Sequence, residues 1–228
     1  LDKVIYGNVQ PIGEGWTGPS IGSVPKGHAL VREGEDTNCS SDWIVVPPGR
    51  SSYPALTCQA VVEPFSVPEN AVDRLLREMA QASRTVNCSL YEISDPTMVR
   101  ALSACSLRGI EVNVLIEGQP VGGLSEASLN ASATLMANGV RVHELRSFES
   151  YKRYDYLHAK YMIVDSRRVV IMSENWGNGL HANRGWGVTL DSRDVGRYFE
   201  DVFRSDLSGL IDVAPARGEG SALPLTPV

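Results

Sequence analysis

From residue 57 onward, apolar positions alternate between short continuous runs and a period near 3.6. Residues 57–63 read as a strand. Pro68-Glu69-Asn70 then opens a helix in which Val72, Leu75, Leu76 and Met79 fall at helical spacing, through about residue 83. A strand over 86–93 follows. Asp95 is placed to cap the next helix, with Pro96 in its first turn and Gly109 at its end. Residues 112–116 form a third strand, 124–138 a helix closed by Gly139, and 140–145 a fourth strand. The stretch 146–156 reads as a loop. Residues 157–164 and 168–173 are two strands joined by the turn Asp165-Ser166-Arg167, and 186–190 is another strand. A final helix spans 192–207, with Asp194 in its first turn. Its apolar stripe is Val195, Tyr198, Phe199, Val202 and Phe203. This order predicts an α/β fold: a mixed, largely parallel β-sheet flanked by helices.

The two ends of the chain differ from this pattern. Residues 1–56 are rich in Gly, Pro, Ser and Thr and show no helical period. Short apolar stretches at 29–31 and 43–46 make this a small irregular β segment. Residues 47–52 read as a linker or long turn. The tail 213–228 carries several Pro and Gly and is expected to be flexible. The predicted organisation is therefore a β-rich segment over 1–56, a main domain over 57–212 and a tail.

Composition narrows the class. The 228 residues are 43% hydrophobic and 21% charged, values that exclude a disordered chain or a coiled coil. No apolar run approaches the roughly 18–20 residues of a membrane span. The net charge of −6 argues against a broadly basic nucleic-acid binder. The chain begins Leu1-Asp2-Lys3 without a visible signal peptide, as expected of a processed chain or a fragment. Four cysteines, at 39, 58, 88 and 105, form no CxxC pair, which argues against a zinc site and leaves buried thiols or up to two disulfides. Gly13 to Gly18 match GxGxxG, but Pro19 follows and no helix does, so a dinucleotide site is rejected. Three glycosylation triplets, at Asn38, Asn87 and Asn130, are no more than chance would give.

The chemistry lies around residue 160. Side chains two apart on a strand share a face, so His158 projects with Lys160, and Ser173 with Asn175. If the two strands pair, four polar groups converge in an otherwise apolar setting, and buried polar groups need partners. Such a pocket suits an anion. An imidazole can attack phosphorus or protonate a leaving oxygen. A lysine ammonium, an asparagine amide and a serine hydroxyl can hold phosphate oxygens as negative charge develops. The segment offers no carboxylate cluster, and no metal or other cofactor is expected.

His158-Ala159-Lys160, four residues, Asp165, then Ser173-Glu174-Asn175, resembles the signature of the phospholipase D superfamily: HxK, four residues, D, six residues, G-S-x-N. Residues 57–210 are similar to one half of that fold, and Leu90 to Asp95 and Arg108 to Val112 fit it well. The resemblance implies a metal-independent, two-step phosphodiester exchange through a phosphohistidine intermediate. Carried over, His158 is nucleophile or acid, and Lys160 and Asn175 bind phosphate, with Ser173 as a further donor. Asp165 belongs to the motif, and its place at the turn suits it to fixing local structure. Residues 1–56 resemble, more weakly, the end of a lamin-tail-like module that precedes such domains in some archaeal proteins, on Gly15 to Pro19 and on 36–43.

Two positions depart from the pattern. Met172 stands where the family has Gly, a change of packing. Gly185, in Asn183-Arg184-Gly185, stands where the family often has the Glu of N-x-E, which orients the catalytic histidine. Either Glu174, another carboxylate or a partner chain replaces it, or His158 is poorly poised. The family builds its site from two HxK motifs, yet His28, His143 and His181 lack the following Lys. The second half is expected from a homodimer partner or from downstream sequence.

Lys152, Arg153 and Tyr156 precede the motif as a candidate substrate wall, set against a plain solvated loop. Trp176, directly after Asn175, is a candidate for shaping the pocket. The expected function is a phosphodiesterase or phosphatidyl transferase, with phospholipid preferred over nucleic acid as substrate. The competing expectation is a catalytically incomplete half-domain that binds phosphate or serves assembly. The location is left open, with an extracytoplasmic or membrane-associated place as the candidate.

Overall fold

The computed structural model describes residues 4–10, 15–26, 28–32, 35–46, 54–146 and 154–207. The proposed linker 47–52, the tail 213–228 and the candidate wall residues Lys152 and Arg153 lie outside them. The chain divides into two compact units. The first holds the described residues up to 46 together with 154–155, and the second holds 54–146 and 156–207.

In the first unit β1 (Ala29–Arg32) pairs antiparallel with β2 (Trp43–Val46). Asp42 ties the intervening turn by accepting from the Thr37 and Cys39 N–H groups at 2.8 and 3.0 Å. The Arg32 guanidinium lies 5.0 Å from the Trp43 ring centroid. This is the small β segment that the pattern predicts.

The second unit carries, in order, β3 (Val61–Val67), α1 (Ala71–Ala80), β4 (Thr85–Leu90), α2 (Pro96–Leu107), β5 (Glu111–Glu117), α3 (Glu126–Ala137) and β6 (Arg141–Leu145). It continues with β7 (Lys160–Val164), β8 (Arg168–Met172), the short α4 (Gly179–Ala182), β9 (Gly185–Asp191) and α5 (Arg193–Leu207). Local chemistry sets several of these bounds. Asp95 caps α2, accepting from the Thr97 and Met98 N–H groups at 3.0 and 2.9 Å, with Pro96 at the first helical position. Ser125 caps α3. Beyond α2 and α3, Gly109 and Gly139 take φ of +84° and +81°, which a side chain would disfavour.

Seven strands form one mixed sheet in the order β3-β9-β8-β7-β4-β5-β6. The α/β class and the mixed sheet are as expected, but the parallel share is smaller than the alternation suggests. Only β4–β5 and β5–β6 are parallel, the pairs joined by helical crossovers. The other four pairings are antiparallel, because β7 and β8 are joined by a tight turn and β3 returns to β9.

The sheet is covered on both faces. Along β4, Val86, Cys88 and Leu90 enter the core with Leu75 and Met79 of α1, Leu102 and Cys105 of α2, and Leu135 of α3. Asn87 points to the other face, where its amide donates to both oxygens of Glu200 on α5 at 3.1 and 3.0 Å. The Tyr161 and Phe199 rings meet there, edge to face at 5.1 Å. All four cysteines are free thiols, and burial pushes those of Cys88 and Cys105 up in pKa.

Candidate active site

Lys160 opens β7 and Met172 closes β8. His158 therefore stands just before one strand, and Ser173, Glu174 and Asn175 just after the other. The sequence pattern predicts His158 and Asn175 on the strands themselves, but His158 stands two residues before β7 and Asn175 three residues after β8. They still converge, because the flanking backbone stays tied to the end of β4. The Tyr91 N–H donates to the Ala159 carbonyl at 3.0 Å, and the Trp176 N–H to the Glu92 carbonyl at 3.2 Å.

His158, Lys160, Ser173 and Asn175 line one open hollow of about 440 Å³, together with Glu92, Ser94, Glu174 and Asn183. Lys160 is only 8% exposed. Its Nζ donates to the His158 carbonyl at 3.0 Å and lies 3.2 Å from Nδ1 and 3.4 Å from Nε2 of the same residue. It also stands 5.6 Å from the centroid of the Tyr91 ring, which meets the imidazole at 4.9 Å. Burial lowers the Lys160 pKa, and the Glu174 carboxylate partly opposes that. Imidazole and ammonium thus face the hollow as a unit.

Asn175 Oδ1 is buried without a hydrogen-bond partner among the described residues. Oδ1 only accepts, so the atom of this amide that can donate to a phosphate oxygen is Nδ2. Ser173 is partly committed: its Oγ accepts from the Trp186 N–H at 3.1 Å and has the Trp186 carbonyl and Glu174 Oε1 within 3.2 and 3.3 Å. The hydroxyl braces β8 against β9 as well as lining the hollow. Among the described residues no group of three or more His, Cys, Asp or Glu is arranged to hold a metal ion.

Two motif positions stand elsewhere. Asp165 lies at the far end of β7, in the turn, where it and Ser166 take positive φ. Its carboxylate accepts from the Ser83 N–H and hydroxyl at 3.0 and 2.8 Å, and from the Arg84 and Thr85 N–H groups at 2.8 and 2.9 Å. Burial alone would raise its pKa, but these hydrogen bonds outweigh burial and lower it. Asp165 therefore holds the start of β4 and touches no part of the hollow. Trp176 is 1% exposed and packs in the core, so it supports the pocket from behind and does not face a substrate. Its carbonyl accepts from the Ser94 and Asp95 N–H groups at 2.8 and 2.9 Å.

Tyr156 is half exposed and reaches the site through Tyr91, their rings 6.5 Å apart. His181 is engaged by Asp95 at 2.7 Å and does not line the hollow. Tyr91, Glu92 and Ser94 carry no motif of their own. Their signal was position: they follow β4 at the carboxyl ends of the parallel strands, where open α/β sheets place ligands.

A family model described as "Cardiolipin synthase, PLD-like domain" matches residues 75–207, more than half of the chain, and the chain belongs to the phospholipase D superfamily. Among curated relatives, the mitochondrial cardiolipin hydrolase of Xenopus tropicalis is 25% identical over 156 residues, which cover 66% of this chain and 66% of the relative. That of Mus musculus is 26% identical over 163 residues, covering 69% and 64%. The chain thus spans just under two thirds of the length of these relatives. Of solved structures, Nuc from Salmonella typhimurium, a phospholipase D family member, matches with a TM-score of 0.59 at 20% identity, over 65% of this chain and 95% of that one. NucT from Helicobacter pylori matches at 0.57 and 17%, over 65% and 96%. These likenesses establish a shared fold.

Proposed function

We propose that this chain is a phosphodiesterase or phosphatidyl transferase that acts through a phosphohistidine on His158, with phospholipid preferred over nucleic acid. The observation that carries the reading is the shared hollow, in which the His158 imidazole, the Lys160 ammonium and the Asn175 amide face the same space.

In the first step an imidazole nitrogen attacks phosphorus. The bond to the leaving alcohol breaks, and a second imidazole protonates the departing oxygen. In the second step that imidazole takes the proton from water or an acceptor alcohol, which attacks the phosphohistidine and frees His158. Lys160 and Asn175 hold the nonbridging oxygens, where charge develops in both steps. The described residues supply one histidine–lysine pair, so the second imidazole comes from a second copy or from sequence outside this chain.

Phospholipid is favoured by the curated relatives, which are named cardiolipin hydrolases, and by the net charge of −6. A half-domain that binds phosphate without turnover is the second reading, favoured by the lone histidine–lysine pair. The deciding experiment is hydrolysis of a chromogenic aryl phosphodiester in EDTA over a range of protein concentration. Specific activity that rises with concentration supports a site completed by two copies. No turnover at any concentration, with tungstate still bound, supports the half-domain. Cardiolipin vesicles set against a DNA oligonucleotide then test the substrate preference.

A further inference from the structure

Gly185 opens β9 opposite Val67, and its backbone lies outside the left-handed region, so conformation does not require a glycine there. Space does. A Cβ at 185 would lie 2.6 Å from Glu174 Oε1, 2.6 Å from Ser173 Oγ and 2.8 Å from Glu174 Cγ. The Glu174 side chain runs through the volume that a side chain at 185 would need. Both of its oxygens are held. Asn183 Nδ2 donates to Oε2 at 2.9 Å, and Ser173 Oγ lies 3.3 Å from Oε1. Both partners line the hollow that Lys160 enters.

We infer that Glu174 is the positioning carboxylate of the pocket, reaching from the end of β8 into the place that Gly185 leaves free. The inference rests on the catalytic reading above. It assigns Glu174 two tasks: holding Ser173 and Asn183 in one frame across β8 and the turn before β9, and setting a negative charge in the same hollow as the buried Lys160 ammonium. Residues 174 and 185 are then a coupled pair, in which one position carries the carboxylate and the other must be small.

Two measurements test this. The first needs no turnover: a double-mutant cycle in stability between Gly185→Ala and Glu174→Ala. Gly185→Ala should lower the unfolding midpoint in the parent chain and do so less beside Glu174→Ala, where both Glu174 contacts are gone and only the one with Ser173 Oγ remains. Additive effects would overturn the shared-space argument.

The second uses kinetics. Glu174→Gln should lower kcat roughly tenfold to hundredfold, as supporting partners of reacting groups do, with KM nearly unchanged. It should also move the alkaline limb of the pH profile downward, because Lys160 loses its counter-charge. The swap Glu174→Ala with Gly185→Glu should recover most of what Glu174→Ala loses. A wild-type kcat and pH profile in Glu174→Gln would overturn the role, as would a folded swap variant that recovers nothing. A parent chain without any turnover would remove the catalytic reading and the positioning role with it, while the stability cycle still reports whether Glu174 fills the space at 185.

Discussion

The two ends of β7 treat polar side chains in opposite ways. At the turn end, Asp165 accepts four hydrogen bonds from Ser83, Arg84 and Thr85, and the fold uses its carboxylate fully. At the other end, Asn175 Oδ1 has no partner among the described residues and the His158 ring stands exposed beside the Lys160 ammonium. Between them Tyr161, Met162, Ile163 and Val164 are all buried. A single sequence motif therefore divides by hydrogen-bond supply. The carboxylate whose partners the chain provides holds the sheet together, and the imidazole and ammonium that face the hollow are open to a ligand.

The largest effect should come from His158→Ala. It should cut turnover of the aryl diester by about a thousandfold or more, with the circular dichroism and melting temperature of the parent. Turnover within tenfold of the parent would erase the contrast between the two ends.

Asp165→Ala should do the reverse. Three amide donors and a hydroxyl lose their acceptor, which costs about 2–4 kcal/mol in chemical denaturation, while kcat per folded molecule stays close to the parent. Its pH dependence follows from the lowered pKa. The carboxylate stabilises the fold above its ordinary value of 3.8, and the contribution fades as pH falls through the lower folded value. Asp165→Asn should flatten that acid limb, and a limb identical to the parent's would assign acid loss to other carboxylates.

The smallest effect sharpens the pocket end. Burial lowers the Lys160 pKa from its ordinary 10.5, so the alkaline limb of kcat/KM should fall below that value. Lys160→Arg should push the limb upward, and a limb at 10.5 or above in the parent would take Lys160 out of it.

Much of this architecture can be read from the chain. Asp95-Pro96, Gly109 and Gly139 mark helix ends by local chemistry, and each acts where the pattern puts it. The direction of the strands is less legible. Alternating strands and helices imply parallel neighbours only where a helix makes the crossover, and the β3–β9 pairing joins segments more than a hundred residues apart. The four hollow-lining motif residues were legible because a short turn brings both sides of one hairpin together, although His158 and Asn175 lie beyond its strands and converge through backbone bonds to the end of β4. Trp176 was not, because its burial depends on a bridge to Ile93, a long-range contact that no local period encodes. Gly185 was visible as a departure, but only the packing of Glu174 into its space gives that departure a meaning.

The placement of β3 at one end of the sheet also bears on solubility. Its first residues, Val61 and Val62, are 63% and 56% exposed, among the described residues no strand pairs with its other side, and such an apolar edge is a template for another molecule's backbone. Pro64 stands in the middle of that strand and has no N–H to offer. A proline fits an edge strand only with its missing donor on the side away from the neighbour, here away from β9. An incoming strand would find the ladder broken at its centre, so the chain can carry an apolar rim without inviting fibrous stacking.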